Sequence, residues 1–536
     1  MGTRRQFIGA SAGLFAPVAP AAGVDPALEK AMEGVRAAIP IAEADPDRPI
    51  YHFRPPANWN NDPNGTIFYK GWHHLFYQLN PFAPRAGNQH WGHARSRDLV
   101  NWEHLPIAIW PSAEYAERAI FSGGAVLADD GRPRLIYTSI GRPQPEQWMM
   151  IPKDDELIAW DKYPKAVLTS AAHGSISVGQ WRDPFLFREG GQVYMVCGGN
   201  APGGRGGAGQ VQLYRAAKPD LTEWKHLGAV FHALERDTFN IECPNLFKLD
   251  GRWVLVVSPH RPCEYYVGDL DLERVRFTPE CHAVLDAGDA YASNISVDDK
   301  GRTILWLWGR TNKPQEKGWN GVMTLPRILS IGPDGFLRQQ PAPEFAGLRG
   351  EPKTFPAAEL GEKPLVLEGV PGDATEIEAE FSGGGGFAFE LRRSSAGKPG
   401  VVVSLERGNL FVGSVRTYVG NASRRKLRIF LDKRCIEVYV DDGIAAVYNP
   451  VDAAREDQGI AVLARSGGMF GGRGGGFGAP VASGVGPGAP SGAGRGAASP
   501  GGPPTPGNRP NPTVRLESLK VWPLRGATFS LEHFNV

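Results

Sequence analysis

Cysteine is sparse in this 536-residue chain: Cys197, Cys243, Cys263, Cys281 and Cys435 are odd in number and far apart. That pattern excludes a disulfide framework and a zinc motif, and it leaves the thiols as small buried hydrophobes. An excess of one charge is missing too, since 58 basic residues face 57 acidic ones for a formal net of +1. A chain so balanced has no field to recruit nucleic acid, an anionic membrane or an acidic substrate, and a neutral substrate fits better. Nor is there an apolar run long enough to cross a bilayer. Near the start, Arg4 and Arg5 precede Phe7-Ile8 and a Gly/Ala-rich stretch to about Val18, with Ala19-Pro20-Ala21 as an Ala-x-Ala cleavage site. Too short and weak for an anchor, residues 1–22 read as an export signal of the twin-arginine type.

The length predicts two domains. Residues 23–48 form a polar spacer whose 26–38 stretch has the helix formers for one short helix. From Tyr51 to about Ile331 the texture is all-β, in short runs such as Leu75-Phe76-Tyr77, Leu135-Ile136-Tyr137 and Leu305-Trp306-Leu307-Trp308. Gly71, Gly131, Gly191, Gly251 and Gly301 fall just before successive runs, spaced by about sixty residues, which is the length of four strands with their loops. The expected fold is therefore all-β, with a five-bladed β-propeller over 49–345. A second alternating region over 346–536 predicts a C-terminal β-sandwich. Its 466–512 insertion is mostly Gly, Pro, Ala and Ser and is expected to be disordered.

Three carboxylates stand one or two residues before a proline: Asp62 in Trp59-Asn60-Asn61-Asp62-Pro63-Asn64-Gly65, Asp183 in Trp181-Arg182-Asp183-Pro184, and Glu242 in Ile241-Glu242-Cys243-Pro244. Proline biases its predecessor toward extended backbone, so each acid is expected at a strand end. Their blade-length spacing predicts that they converge on the central channel. Acids so placed suit glycosidic cleavage, where one carboxylate attacks the anomeric carbon and another protonates the leaving oxygen. Read singly, Asp62 also fits an Asp-Pro-Asn-Gly turn, Asp183 a strand-end cap and Glu242 a surface carboxylate. The many tryptophans of the first part of the chain, Trp59, Trp72, Trp91, Trp102 and Trp110, suit either sugar stacking or an aromatic core.

The segment from His52-Phe53 through Asp62-Pro63-Asn64-Gly65 resembles glycoside hydrolase family 32, the invertase, inulinase and levanase group. So do Leu75-Phe76-Tyr77-Gln78, Trp91-Gly92-His93-Ala94, Phe121-Ser122-Gly123, Arg182-Asp183-Pro184, Glu242-Cys243-Pro244 and Leu325-Pro326-Arg327. The resemblance implies a retaining glycosidase that releases terminal β-D-fructofuranosyl units from sucrose or fructans through a covalent fructosyl-enzyme, with no cofactor and no metal. It implies Asp62 as nucleophile, Glu242 as general acid and base, and Asp183 as transition-state stabiliser. Trp59, Asn61, Gln78, Trp91, Ser122 and Arg182 are matched positions expected to line the fructose pocket. The alternatives are a fructosyltransferase on the same site, an inverting five-bladed glycosidase, and a fructan-binding module without catalysis. A carbohydrate is the expected partner, and no particular oligomeric state is indicated.

Crowded carboxylates cannot all ionise easily, and the one with least hydrogen-bond support keeps its proton. Glu242 is expected to be that group, and Asp62, flanked by Asn60, Asn61 and Asn64, to stay ionised. Asn60, Gly124 and the Asp289-Ala290-Tyr291-Ala292 segment depart from the family pattern, which bears on substrate preference. Three motifs are decoys. His73-His74, His90 and His93 suit packing rather than metal, since neighbours on a strand face opposite sides. Gly203-Gly204-Arg205-Gly206-Gly207 lacks the strand-to-helix turn of a phosphate cradle, and Arg473-Gly474-Gly475 sits in a stretch with few basic residues.

Overall fold

The computed structural model describes residues 25–201, 209–234, 238–311, 315–465 and 513–534. The export segment, the Gly203 to Gly207 loop and the 466–512 insertion lie outside the described residues. Among those described, five antiparallel sheets follow one another in the chain. They are led by Asn58–Tyr69, Ala119–Leu127, Gly179–Glu189, Glu242–Leu249 and Ala290–Val297. Each leading strand packs against the next, and the fifth against the first, so the sheets close into a ring.

The turns explain the repeat. Gly71, Gly131, Gly191, Gly251 and Gly301 take left-handed φ angles of 80°, 74°, 77°, 81° and 73°, each in the hairpin after a leading strand. In three of these hairpins the preceding Lys70, Gly190 or Asp250 is left-handed as well, the double positive φ that matches the twist of paired strands. The ring gains two parallel pairings that the repeat does not predict. Trp319–Asn320 lies beside Asn58 and Trp59, and the C-terminal Phe529–Ser530 lies beside Trp102 and Glu103 on the outer edge of the first sheet.

The N-terminal helix runs over Pro26–Glu43, beyond the expected 26–38 stretch. The Asp25 carboxylate accepts the Ala27 N–H at 2.8 Å, and Pro26 occupies the first turn, where a missing amide costs nothing. Ala31, Met32, Val35 and Ala42 are buried in the same core as the ring, and this packing carries the helix through Pro40.

Two further sheets hold the C-terminal region, with one apolar core between them in which Phe381 and Phe387 stack at 3.6 Å. Val514–Pro523, resuming after the insertion, is an interior strand between Lys353–Phe355 and Ala374–Gly383. Ring and sandwich meet at a buried polar cluster. Asp432 accepts the N–H groups of Ile50, Tyr51 and His52 at 2.8, 2.9 and 2.9 Å and the His52 ring at 2.9 Å. Glu437 meets the other His52 nitrogen at 3.2 Å and accepts the Leu325 N–H at 2.6 Å and the Arg327 guanidinium at 2.9 Å. Arg327 also reaches Asp286, at 2.8 Å.

Candidate active site

Every leading strand slips its register against the second strand of its sheet. In four of them two residues oppose one: Asn61-Asp62 face Gln78, Phe121-Ser122 face Thr138, Asp183-Pro184 face Cys197, and Cys243-Pro244 face Val257. In the fifth, Ala292 is the extra residue. Such bulges leave a residue outside the ladder and re-aim its side chain, and proline is tolerated there because no ladder N–H is required. Asp183 and Cys243 have φ of 64° and 44°, not the extended backbone expected before proline; the bulge outweighs the local preference. Nor do the acids hold identical places. Glu242 directly precedes its bulge, Asp183 is the first bulged residue of its strand, and Asp62 the second.

These bulges border a cavity of about 520 Å³ whose wall includes Asn61, Asp62, Gln78, Ser122, Arg182, Asp183 and Glu242. Two expected residues are not on that wall. Trp91 is fully buried, donating its indole N–H to the Phe121 carbonyl at 3.1 Å and packing on Phe76 and Tyr137. Trp59 stands edge-on to Trp308 at 5.9 Å, and it is Trp308 that borders the cavity. An indole is large enough to favour the core wherever a sheet interior is open to it.

The polar wall is internally bonded. Ser122 Oγ donates to Asp62 Oδ2 at 2.5 Å, Asn61 Nδ2 to Asp62 Oδ1 at 3.0 Å, and Gln78 Nε2 to Ser122 Oγ at 3.0 Å. Cys243 is not an inert core thiol: its Sγ lies 3.7 Å from both Asp62 Oδ2 and Asp183 Oδ2, and its backbone N–H donates to Asp183 Oδ2 at 3.1 Å. Arg182 bridges the other two acids, with Nε 3.6 Å from Asp183 Oδ2 and Nη2 hydrogen-bonded to Glu242 Oε1. Tyr291 donates its hydroxyl to Glu242 Oε2 at 2.6 Å, and His260 Nδ1 stands 3.6 Å from the same oxygen.

Protonation runs opposite to the sequence-based expectation. Burial pushes Asp62 up to about 6; the Ser122 hydrogen bond pulls it down and the charge of Glu242 adds to the rise. Burial likewise lifts Asp183 to about 7 against the pull of Arg182. At Glu242 burial also acts upward, but Arg182, Tyr291 and His260 outweigh it and hold this carboxyl below its ordinary value. Glu242 is thus the best supported of the three, because Arg182 and Tyr291 reach it from neighbouring blades and His260 from the loop after the second strand of its own.

Tyr291, His260, Trp308 and Arg310 also border the cavity; of these only Tyr291 is marked in the sequence, within a segment tied to substrate preference and without a role of its own. For Tyr291 a signal exists: it precedes the fifth bulge, the place Glu242 holds in the fourth strand. His260 and Arg310 lie within two residues of the ends of second strands of their sheets, where no pattern marks them.

The profile of the Glycosyl hydrolases family 32 N-terminal domain matches residues 52–341. The chain is similar to a sucrose-6-phosphate hydrolase of Bacillus subtilis, 32% identical over 464 residues that cover 80% of this chain and 94% of that protein. It is also similar to a levanase of Bacillus subtilis, 29% identical with 79% and 69% covered. Among solved structures, the fructan 1-exohydrolase IIa of Cichorium intybus superposes with a TM-score of 0.75 at 23% identity, covering 91% of this chain and 99% of that one. A β-fructofuranosidase of Bombyx mori in complex with sucrose has a TM-score of 0.66 at 26% identity, covering 81% and 98%.

Proposed function

The chain belongs to glycosyl hydrolase family 32 and is a glycosidase that releases fructosyl units, and we propose that it takes terminal β-D-fructofuranosyl residues from sucrose or fructans with retention, through a covalent fructosyl-enzyme. The observation that carries this reading is the convergence of Asp62, Asp183 and Glu242, set at or beside bulges on separate strands, upon one cavity.

In the first step a carboxylate oxygen of Asp62 bonds to the anomeric carbon while Glu242 gives its proton to the glycosidic oxygen and the leaving sugar departs. In the second, Glu242 takes a proton from water, the water oxygen bonds to the anomeric carbon, and the ester to Asp62 breaks. Both groups regain their starting states. Asp183 stabilises the charge that develops on the ring by accepting its hydroxyls.

In the free protein Asp183, lifted to about 7, holds a proton more readily than Glu242, so substrate has to redistribute it. Sugar hydroxyls donating to Asp183 lower that group, and Arg182 turning from Glu242 to the sugar raises Glu242. Substrate binding thereby arms the acid.

NMR of the first product tests retention: β-fructofuranose supports it and the α anomer rejects it. Equal release of fructose and glucose from sucrose supports hydrolysis, and a deficit of free fructose signals transfer to another sugar. Export is part of the same proposal, supported by Arg4-Arg5 ahead of a weakly apolar run. Replacing both arginines with lysine is expected to leave active enzyme in the cytoplasm, and undiminished export would reject the twin-arginine reading.

A further inference from the structure

Asp289, Tyr291 and Arg310 make one side of the cavity, and the backbone of Asp289 and of Arg310 is held from outside the ring by a residue of the sandwich. Tyr448, on Ala445–Pro450, is fully buried. Its carbonyl accepts the Asp289 N–H at 2.9 Å, and its hydroxyl donates to the Arg310 carbonyl at 2.9 Å. Its own N–H donates to the Asp286 carboxylate at 3.1 Å. The fit allows no side chain opposite it: a Cβ on Gly288 would lie 1.8 Å from the Tyr448 carbonyl oxygen, and one on Gly309 would lie 2.6 Å from its ring. Two glycines beside two hydrogen bonds mean that this stretch of wall has the position Tyr448 imposes.

That wall faces a definite part of the substrate. Glu242 has to reach the glycosidic oxygen, and its Oε2 faces Tyr291 and His260 while Oε1 is held by Arg182. Whatever departs with that oxygen lies against Tyr291 and Arg310. The Arg310 guanidinium is laid over the Tyr291 ring at 4.5 Å and the Trp308 ring at 5.1 Å, which presents its N–H groups along an aromatic surface suited to a sugar.

We infer that Tyr448 is a positioning residue for leaving-group recognition, acting through Arg310 and Asp289, so that the sandwich sets which leaving sugar the ring accepts. The inference rests on the proposed fructosidase activity and adds the side of the substrate that the three carboxylates do not address.

A double-mutant cycle on the full-length protein tests it. Tyr448→Phe deletes one hydrogen bond while keeping the ring, and is expected to lower kcat/KM on sucrose by roughly 3- to 10-fold, mainly through KM. Arg310→Ala is expected to lower it further, and the double variant to match Arg310→Ala alone. Product inhibition by free fructose, which probes the fructosyl side, is expected to stay within about 2-fold of wild type, inside the scatter of a distant substitution. Gly309→Ala, which pushes the ring from the opposite side, is expected to reproduce the Tyr448→Phe pattern. Additive losses in the double variant, an equal weakening of fructose inhibition, or no loss at all would overturn the role of Tyr448. Failure of the wild-type protein to release fructose from sucrose would reject the underlying reading instead.

Discussion

Where ring meets sandwich, Asp286, Asp432 and Glu437 share two cations, Arg327 and His52, and a set of backbone N–H donors, whereas in the cavity Arg182 pairs with Asp183 and Glu242 and leaves Asp62 to neutral donors. Both clusters are sets of three carboxylates taken largely out of water. At the boundary, burial is outweighed at Glu437 by Arg327 and His52, which hold it down to about 2, although it still lifts Asp286 against the pull of Arg327. In the cavity, burial wins at Asp62 and Asp183 and lifts them to about 6 and 7. In each cluster pairing, more than depth, singles out one carboxylate to stay ionised, Glu437 at the boundary and Glu242 in the cavity.

The largest effects should come from the cavity and leave stability alone. Asp62→Ala is expected to remove covalent intermediate and turnover, by roughly 10⁴-fold or more, as loss of a nucleophile does. Glu242→Ala should cost ~10²–10⁴-fold on sucrose and far less in forming the fructosyl-enzyme from an aryl β-fructofuranoside, whose leaving group needs little protonation. Equal losses on both substrates would contradict the assignment of the acid. Thermal melting of Asp62→Ala should hold or rise, since a poorly compensated buried carboxylate is removed.

The boundary should behave in the reverse manner. Glu437→Gln leaves Arg327 and His52 facing too little charge and is expected to cost about 3–5 kcal/mol in denaturant unfolding, the usual penalty for breaking a buried pair. The kcat of the molecules that remain folded should change little. A variant that loses turnover while keeping stability would break the comparison.

A smaller effect sharpens the cavity side. Tyr291 donates to Glu242, so Tyr291→Phe removes support from the ionised form and raises that carboxyl. The basic limb of kcat, where the acid armed by substrate loses its proton, should then move to higher pH. A limb that stays in place would mean that Tyr291 does not tune Glu242.

The smallest effects are in stability against pH, and here histidines divide in the same way. His74 and His104 are pushed down to about 3 by burial, with Arg95 adding to the effect at His74 and Arg54 at His104. The unfolded chain takes up these protons near 6.5, so it binds more protons between about 6.5 and 3, and stability falls as pH drops through that window. His52 is raised well above 6.5: burial opposes its charge, but Cys435, Asp432 and Glu437 outweigh burial. Its contribution is complete below about 6.5 and is lost as pH rises through the folded value. Melting temperatures of wild type and His52→Gln across pH should show a flatter alkaline side in the variant and an unchanged acid side.

Much of this was legible in the chain because it is local. Gly71 and its four counterparts mark hairpins that need positive φ, and alternating aromatic runs mark strands between them. Asp62, Asp183 and Glu242 stand out because proline beside an acid in strand-like sequence is rare unless a bulge accommodates it. Trp91 was not legible: an indole suits a sugar platform and a core equally, and only its neighbours Phe76 and Tyr137 decide.

The sequence by itself determined the strand period, the turn geometry and the set of acids, since each depends on backbone conformation within a few residues. Only the tertiary structure decided where the proton rests and what braces the cavity. Charge and burial at Glu242 come from Arg182 and Tyr291 on neighbouring sheets and from His260 in a loop of its own, and the wall beside it is held by Tyr448 from the other domain. Electrostatic fields and close packing are sums over neighbours in space, and neighbours in space are what chain order does not state.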